Sequence, residues 1–283
     1  MTRGPHDDVK AVPGRGRLAF GLSGWSYPDW KGVVYPAGCR DTLVYCAEQV
    51  DFLEVNSSFY APTRPEVAAS WVARTRALRT FFTAKLPQAF THEDRDDAEL
   101  VRAARAGFAP LAEAGRLRAL LAQFSYRFVA GEPAFARLAW LQERFADLAP
   151  LVLEVRHRSW QERAALERVR ALGYSLAQLD YPGARTGFGL WTTGVYGPKD
   201  IAYLRLHGRS PAWFQAGAGR DQVYDYEYPP HEVEEIRRRV QDLASAATLV
   251  LVAANNHFHG KAMKVIQNLI STLSNLDGRV TPS

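Results

Sequence analysis

Cysteine is nearly absent from the sequence. Only Cys39 and Cys46 occur among the 283 residues, and their spacing fits neither a zinc-binding motif nor a redox motif. Two reduced thiols are typical of a cytoplasmic protein. No apolar run approaches the roughly 20 residues that span a bilayer, and the amino terminus lacks the apolar centre of a signal peptide. We therefore expect a cytoplasmic protein that has no membrane partner.

Lysine is also scarce, since 6 of the 35 basic residues are lysine and 29 are arginine. The net charge is +5 and the isoelectric point is about 9.2. Arginine makes bidentate contacts with phosphate and carboxylate, so nucleic acid is one candidate partner. A compositional bias of the genome explains the arginine excess more simply, because the longest basic run is the RRR of 237–239 within a predicted helix.

Eight short apolar segments alternate with helical patterns. They begin at residues 18, 51, 80, 119, 151, 174, 201 and 248. Most are apolar almost throughout, which is typical of strands covered on both faces. The alternation predicts an α/β fold, a (β/α)8 TIM barrel, as one domain over residues 18–277. Flexible tails are expected at 1–17 and 278–283.

Two details of the predicted barrel are less regular. The sixth unit, residues 181–200, is rich in glycine and proline, so no regular helix is expected there. Gly107 and Pro110 are expected to interrupt the amphipathic helix of residues 96–115.

A doubly wound open sheet is the main alternative fold, but no GxGxxG motif follows the first strand.

Polar residues follow the apolar segments at their carboxyl ends. Residues i and i+2 of a strand point to the same side, which makes these residues same-side pairs. The carboxyl ends of barrel strands meet at one mouth, where enzymes of this architecture carry their active sites. We therefore predict that the pairs converge: Glu54 and Asn56, Thr83 and Lys85, Gln123 and Ser125, Glu154 and Arg156, Gln178 and Asp180, and Arg205 and His207, with Asn255 after the eighth strand.

These residue types suit acid–base chemistry on an anionic substrate. Glu54 or Glu154 would act as acid or base and His207 as a proton shuttle. Three cations, Lys85, Arg156 and Arg205, would bind the negative charge of the substrate. A divalent metal held by the carboxylates and His207 is an alternative that is not favoured, because the cations compete for the same lone pairs.

Loops after the strands supply further candidates. Small and basic residues near Gly208 and Gly260 lie where many barrels bind phosphate. Aromatic side chains in the same loops are suited to stacking on a ligand. The predicted catalytic residues are Glu54, Lys85, Glu154 and His207, and the predicted substrate-binding residues are Trp25, Asn56, Tyr60, Gln123, Arg156, His157, Asp180, Arg205, Arg209, Asn255, Asn256 and Lys261.

Six motifs occur in order along the chain: GLSGWSYPDWKGVVYP, EVNSSFY, AKLPQAFTH, EVRHRSW, YLRLHGR and ANNHFHGKA. In these stretches the sequence resembles the domain-of-unknown-function family number 72, also called the YecE-like family. The resemblance implies a TIM barrel and implies no particular reaction. Its motifs fall on the strand ends selected above.

The functional hypothesis is an enzyme, a hydrolase, lyase or isomerase, that acts on a small anionic or sugar-like metabolite such as a sugar phosphate. One alternative is a nucleic-acid-binding or nuclease-like protein. Another is a barrel that binds a ligand without catalysis. The sequence specifies neither a cofactor nor an oligomeric state.

Overall fold

Strands form where the sequence is most continuously apolar. The computed structural model describes residues 16–182 and 200–274. Within these ranges all paired strands are parallel: β1 (Arg17–Ser23), β2 (Phe52–Val55), β3 (Phe81–Lys85), β4 (Leu117–Gln123), β5 (Leu151–Glu154), β6 (Ser175–Leu176), β7 (Gln178–Asp180), β8 (Ile201–Leu206) and β9 (Leu249–Ala254).

The order of the strands closes the sheet into a barrel. They are hydrogen-bonded in the order β6-β5-β4-β3-β2-β1-β9-β8-β7. β6 and β7 are two parts of one strand, separated by Ala177, and β6 pairs with β5 whereas β7 pairs with β8. The eight predicted strands are therefore confirmed, with the sixth divided in two. The irregular segment predicted after it falls mostly on residues 183–199, outside the described residues.

Helices follow the strands and cover the outside of the barrel. Those described are α1 (Thr42–Gln49), α2 (Pro65–Arg74), α3 (Gln88–Thr91), α4 (Ala98–Glu113), α5 (Glu132–Phe145), α6 (Arg163–Ala171), α7 (Arg220–Tyr224), α8 (Pro230–Ala246) and α9 (Lys261–Ser274). Short 3-10 segments lie in several of the loops that leave the strands, including Ser57–Phe59 after β2 and Arg158–Gln161 after β5.

Alternate residues of each strand separate the protein into two apolar layers. One set packs inside the barrel and includes Phe52, Phe81, Tyr203 and Leu251. The other set packs between the strands and the helices. Residues that continue the inward-facing set at the carboxyl ends of the strands must therefore point into the mouth.

The predicted break in the helix of residues 96–115 is wrong, since α4 runs through both Gly107 and Pro110. An interior proline costs about 3 kcal/mol. Burial of Phe108 and Leu111 on the same helix contributes about 1.5–3 kcal/mol for each side chain, which offsets that cost. Gly107 has a packing role, because a Cβ there would lie 2.1 Å from the carbonyl oxygen of Thr63.

Candidate active site

Arg205 lies at the centre of the barrel mouth and is completely buried. Its Nη2 is 2.5 Å from Oε1 of Glu54, and its Nε is 3.2 Å from Oε2 of the same carboxylate. Its Nη1 is 2.5 Å from Oε2 of Glu154. One guanidinium from β8 thus connects carboxylates from β2 and β5.

Glu54 is also bound from inside the barrel. The hydroxyl of Tyr203 donates to Oε2 of Glu54 over 2.8 Å, and Oγ1 of Thr83 lies 2.9 Å from that hydroxyl. All three side chains are buried. A buried carboxylate that is bound by both a guanidinium and a phenol is held in one orientation.

Glu154 has a second cationic partner. Nη2 of Arg156 donates to Oε1 of Glu154 over 2.9 Å, and the Arg156 side chain retains 19% of its exposure. Its guanidinium lies 5.2 Å from the ring centroid of Trp213. Arg156 is therefore the cation of this cluster that combines a carboxylate partner with contact to the outside of the mouth.

Both glutamates are held as carboxylates. Burial alone would raise the pKa of Glu54, but the charges of Arg205 and Lys85 outweigh burial and lower it. Burial likewise opposes ionisation of Glu154, and Arg205 with Arg156 lowers its pKa far below the usual range. A carboxylate with a strongly lowered pKa accepts a proton poorly near neutral pH.

Lys85 differs from the other cations because its ammonium group has no carboxylate partner in the part of the chain that the structure describes. It is 8% exposed. No carboxylate oxygen of the described residues lies within 4.0 Å of Nζ, which sits 5.7 Å from the ring centroid of Phe59. Burial and the charge of Arg205 lower the pKa of Lys85 to about 8, against the opposing effect of Glu54 and Glu154. Lys85 can therefore exchange its proton near physiological pH.

His207 is held in the neutral form. Burial and then the charge of Arg205 lower its pKa well below the ordinary value. Nδ2 of Asn255 lies 3.0 Å from Nδ1 of His207, whereas Nη1 of Arg205 lies 3.5 Å from Nε2. The shorter contact has Nδ1 as the acceptor, which places the ring proton on Nε2. Nε2 lies 3.7 Å from Oε1 of Glu154.

The cluster carries a net positive charge. Arg205, Arg156 and charged Lys85 contribute three positive charges, and Glu54 and Glu154 contribute two negative ones. The balance is +1 with His207 neutral. An anion entering the mouth would bring the local charge to zero or below.

Two predicted residues on the sixth strand do not join this cluster. The inward-facing residues of this strand are Ala177 and Leu179, so Gln178 and Asp180 point toward the helices. Gln178 accepts from Arg239 of α8, and Asp180 accepts from Nε of Arg209 over 2.8 Å. Convergence of this pair on the mouth, as expected from the sequence, is wrong, because alternation fixes which residues share a face and not which face is inside.

The basic residues of the expected phosphate-binding loops are already neutralised. Arg209 binds the carboxylates of Asp180, Glu232 and Glu235. Lys261 forms an ion pair with Asp225. Neither side chain offers an unpaired charge to a phosphate, in contrast to Lys85.

Four predicted ligand contacts lie around the cluster or away from it. Oε1 of Gln123 is 3.3 Å from Nη1 of Arg205, at the edge of the network. Trp25 packs edge-on against Trp71, with 5.2 Å between ring centroids, in the outer apolar layer. His157 bonds Ser159 within its own loop, and Tyr60 is 62% exposed.

The predicted asparagines contribute polar atoms to the mouth. Asn56 follows β2, and its Oδ1 is buried without a hydrogen-bond partner in residues 16–182 and 200–274. Oδ1 of Asn256 is also buried and has no partner within these ranges, although its Nδ2 donates to the carbonyl of Tyr226. Buried polar atoms without partners are uncommon and are candidates for ligand contacts.

Three residues of the mouth are absent from the predicted site. Tyr203 binds Glu54, and Oγ of Ser23 lies 3.5 Å from Nη2 of Arg205. The ring of Trp213 lies 5.8 Å from the ring of His207. Tyr203 and Arg205 share a strand face, so the spacing contains a signal for Tyr203, but an isolated tyrosine in an apolar strand is typical of core. Trp213 is one of the aromatic residues expected in the loops on this side of the barrel, whereas no spacing in the sequence indicates Ser23.

The large apolar side chains that remain exposed share one location. Among the described residues they are Val33, Tyr60, Tyr126, Val129 and Phe214. Each lies in a connection that leaves the carboxyl end of a strand. The large exposed apolar side chains of the described residues therefore lie on the side of the barrel that carries the mouth.

The donor set at the mouth does not suit a metal. Within residues 16–182 and 200–274, no group of three or more His, Cys, Asp or Glu side chains is placed to hold one. Both glutamates are instead bound by arginine.

In the same ranges, no helix has the length and hydropathy to cross a bilayer.

The closed parallel sheet, its helical cover and a charged cluster at the carboxyl ends of its strands define an α/β barrel of the TIM type. Residues 19–282 match the model of the family described as protein of unknown function DUF72. The chain belongs to this family, as its motifs indicate.

The chain is also similar to a protein of known sequence and to solved structures of the same fold. The chain is 27% identical to the UPF0759 protein YunF of Bacillus subtilis over 87% of its length and 90% of that protein. A DUF72 family protein of Thermotoga maritima is 28% identical, with a TM-score of 0.74 over 91% of this chain and 99% of that one. A DUF72 family protein of Enterococcus faecalis is 23% identical, with a TM-score of 0.76 over 94% and 97%.

Proposed function

We propose that this protein is an enzyme that moves protons on a small anionic metabolite bound at the barrel mouth. One observation carries the proposal: in a cluster of three cations and two carboxylates, the charge of the buried Lys85 has no ion-pair partner among the described residues. Burying a charge without a partner is costly, so a protein that retains one has a use for it.

The roles of the residues follow from their contacts. Glu54 and Glu154 hold Arg205 in place and are poor proton acceptors, so they are positioning residues here. Lys85 is the group that gains and loses a proton near pH 8. Arg156 binds the anionic group of the substrate through the part of its guanidinium that Glu154 does not engage.

His207 would assist as a neutral hydrogen-bond donor. Nε2 of His207 lies 3.7 Å from Oε1 of Glu154, which is longer than a hydrogen bond, so the N–H would be available to donate to a substrate oxygen. This role differs from the proton shuttle expected from the sequence. An imidazole whose pKa is strongly lowered stays neutral near pH 7 and so rarely takes up a proton there.

The test follows exchange of carbon-bound hydrogen. Phosphorylated sugars and 2-oxo acids are incubated in D2O with the full chain, and loss of the C–H signal beside the carbonyl is followed by proton NMR. We expect exchange with at least one compound. The exchange rate should fall by at least about 100-fold in Lys85→Met, and the KM for the compound should rise in Arg156→Gln.

The matched control is Arg158→Gln, which removes the same charge from an exposed position two residues from Arg156. This variant should retain the wild-type rate. Binding of these compounds without exchange or conversion would mean that the barrel is a ligand-binding protein. Absence of binding by every compound would reject the anionic site itself.

A further inference from the structure

We propose that Lys85 is a nucleophile that forms an imine with the carbonyl group of an anionic aldehyde, ketone or 2-oxo acid. The inference rests on the proposed function and specifies the substrate class: a small carbonyl compound that carries a carboxylate or a phosphate. Two features of the mouth support it, the isolation of Nζ and the position of the Lys85 backbone.

The isolation of Nζ makes the amine available. A lysine that is bound to a carboxylate keeps its proton and its lone pair is blocked. Nζ of Lys85 has no such partner among the described residues, although Glu54 and Glu154 are close enough to influence it electrostatically. Arg205 already donates to Oε1 of Glu54 and to Oε2 of Glu154. The arginine thereby keeps the glutamates from pairing with the lysine.

The backbone of Lys85 is fixed, so the amine is presented from a constant position. Oγ of Ser58 donates to the carbonyl of Lys85 over 2.7 Å, and the backbone N–H of Leu86 donates to the carbonyl of Leu121 over 2.9 Å. Phe59, in the same loop as Ser58, places its ring beneath Nζ. Burial and two neighbouring guanidinium charges favour the neutral amine, which is the reactive form, although the face of the Phe59 ring favours the ammonium.

The reaction balances without an added oxidant or reductant. The lone pair of the neutral amine attacks the carbonyl carbon, and the C=O electron pair moves to oxygen. Both amine protons leave with that oxygen as water, and a C=N bond replaces C=O. Protonation of the imine nitrogen makes the adjacent C–H acidic, and hydrolysis by water restores the lysine and the carbonyl.

Covalent trapping tests the inference. The full chain is incubated separately with pyruvate and dihydroxyacetone phosphate, sodium borohydride is added to reduce any C=N bond, and labelled peptides are identified by mass spectrometry. Only six lysines occur in the chain, so assignment is direct. We expect labelling of Lys85 to exceed that of the exposed Lys31 by about tenfold or more at pH 7.5, and to increase between about pH 7 and pH 9.

Two variants act as controls. Lys85→Arg keeps the positive charge and cannot form an imine, so its labelling at this position should be absent, whereas Lys31→Met should be labelled at Lys85 like the wild type. Equal labelling of Lys31 and Lys85, or none at Lys85 with either probe, overturns the inference. In that case the Tm is measured with pyruvate or inorganic phosphate for the wild type and for Arg156→Gln. If either ligand raises the Tm of the wild type and not that of the variant, the anionic site stands and only the imine is wrong. If neither ligand raises the Tm and no adduct forms, both proposals fall.

Discussion

Arg205 binds Glu54 through two of its nitrogens, with Nη2 2.5 Å from Oε1 and Nε 3.2 Å from Oε2. Both side chains are completely buried. Loss of one partner of such a pair leaves an uncompensated charge in the interior, which typically costs 3–5 kcal/mol. The pair therefore controls the stability of the mouth as well as its geometry.

A double-mutant cycle should reveal this coupling. We expect Glu54→Gln and Arg205→Met each to lower the free energy of unfolding by about 3–5 kcal/mol. The double variant should lose about 1–3 kcal/mol less than the sum, because the second substitution removes the charge that the first left unpaired. Urea denaturation at pH 7 measures all three. The control is the exposed pair Arg163 and Glu167, for which we expect a coupling energy below about 0.5 kcal/mol. Additive effects of the two substitutions at Glu54 and Arg205 would contradict the expectation.

The stability of the protein should depend on pH through Lys85. Its pKa falls from 10.5 to about 8 in the folded protein, so the unfolded chain binds more protons between these pH values. Stability from this group consequently increases as pH rises from 8 to 10.5, and the charged lysine costs about 3 kcal/mol at pH 7. We expect Lys85→Met to stabilise the protein at pH 7 by up to that amount.

The stabilisation by Lys85→Met should disappear as the wild type loses its proton. Denaturation measured at pH 7, 9 and 10.5 should show the difference between variant and wild type decrease with pH. Lys31→Met, at an exposed position, should change stability by less than about 0.5 kcal/mol throughout. A Lys85→Met variant less stable than the wild type at pH 7 would show that the ammonium contributes favourably to the fold.

His207 should remain neutral across the physiological range. Its pKa is well below 6.5, so the contribution of its neutral form to stability is lost as pH falls below 6.5. Nitrogen-15 NMR of histidine-labelled protein should show a neutral ring with the proton on Nε2 between about pH 6 and 8. Exposed His231 provides the internal reference. A ring that titrates near pH 6.5, or a proton on Nδ1, would be inconsistent with the bond to Asn255.

Arg209 should stabilise the protein without taking part in the chemistry. It neutralises Asp180, whose pKa burial raises despite the two hydrogen bonds from Arg209. We expect Arg209→Gln to lower the free energy of unfolding by about 2–4 kcal/mol at pH 7 and to leave borohydride trapping at Lys85 unchanged. The loss should diminish at lower pH as Asp180 takes up a proton. Reduced trapping in a folded Arg209→Gln protein would place Arg209 in the functional cluster.

The fold was accessible from the sequence because a parallel barrel repeats one simple pattern. Apolar strands and amphipathic helices alternate. Each of the eight observed strands begins and ends within a few residues of the apolar segment that predicted it. The helix α4 was harder to predict, since local signals at Gly107 and Pro110 conflict with burial of its apolar face. Tertiary packing decides such conflicts and leaves no local trace.

The candidate site was predictable only in part. Glu54, Glu154 and Arg205 stand out because charge is unusual at the end of a buried strand, and the structure brings them into contact. Which partner Arg205 takes depends on distances across the barrel, so the isolation of Lys85 could not be predicted. The inward or outward direction of Asp180 depends on the register of β7 against β8, and alternation alone does not determine it.

The division of the sixth strand at Ala177 has a consequence for association between molecules. Because β6 pairs with β5 while β7 pairs with β8, the two parts of the sixth strand together have a neighbour on each side, and every other strand of the described sheet is paired on both sides. A cylinder of this kind exposes no continuous row of free N–H and C=O groups onto which a foreign strand could be added. Copies of this protein that aggregate by strand addition must first open that seam.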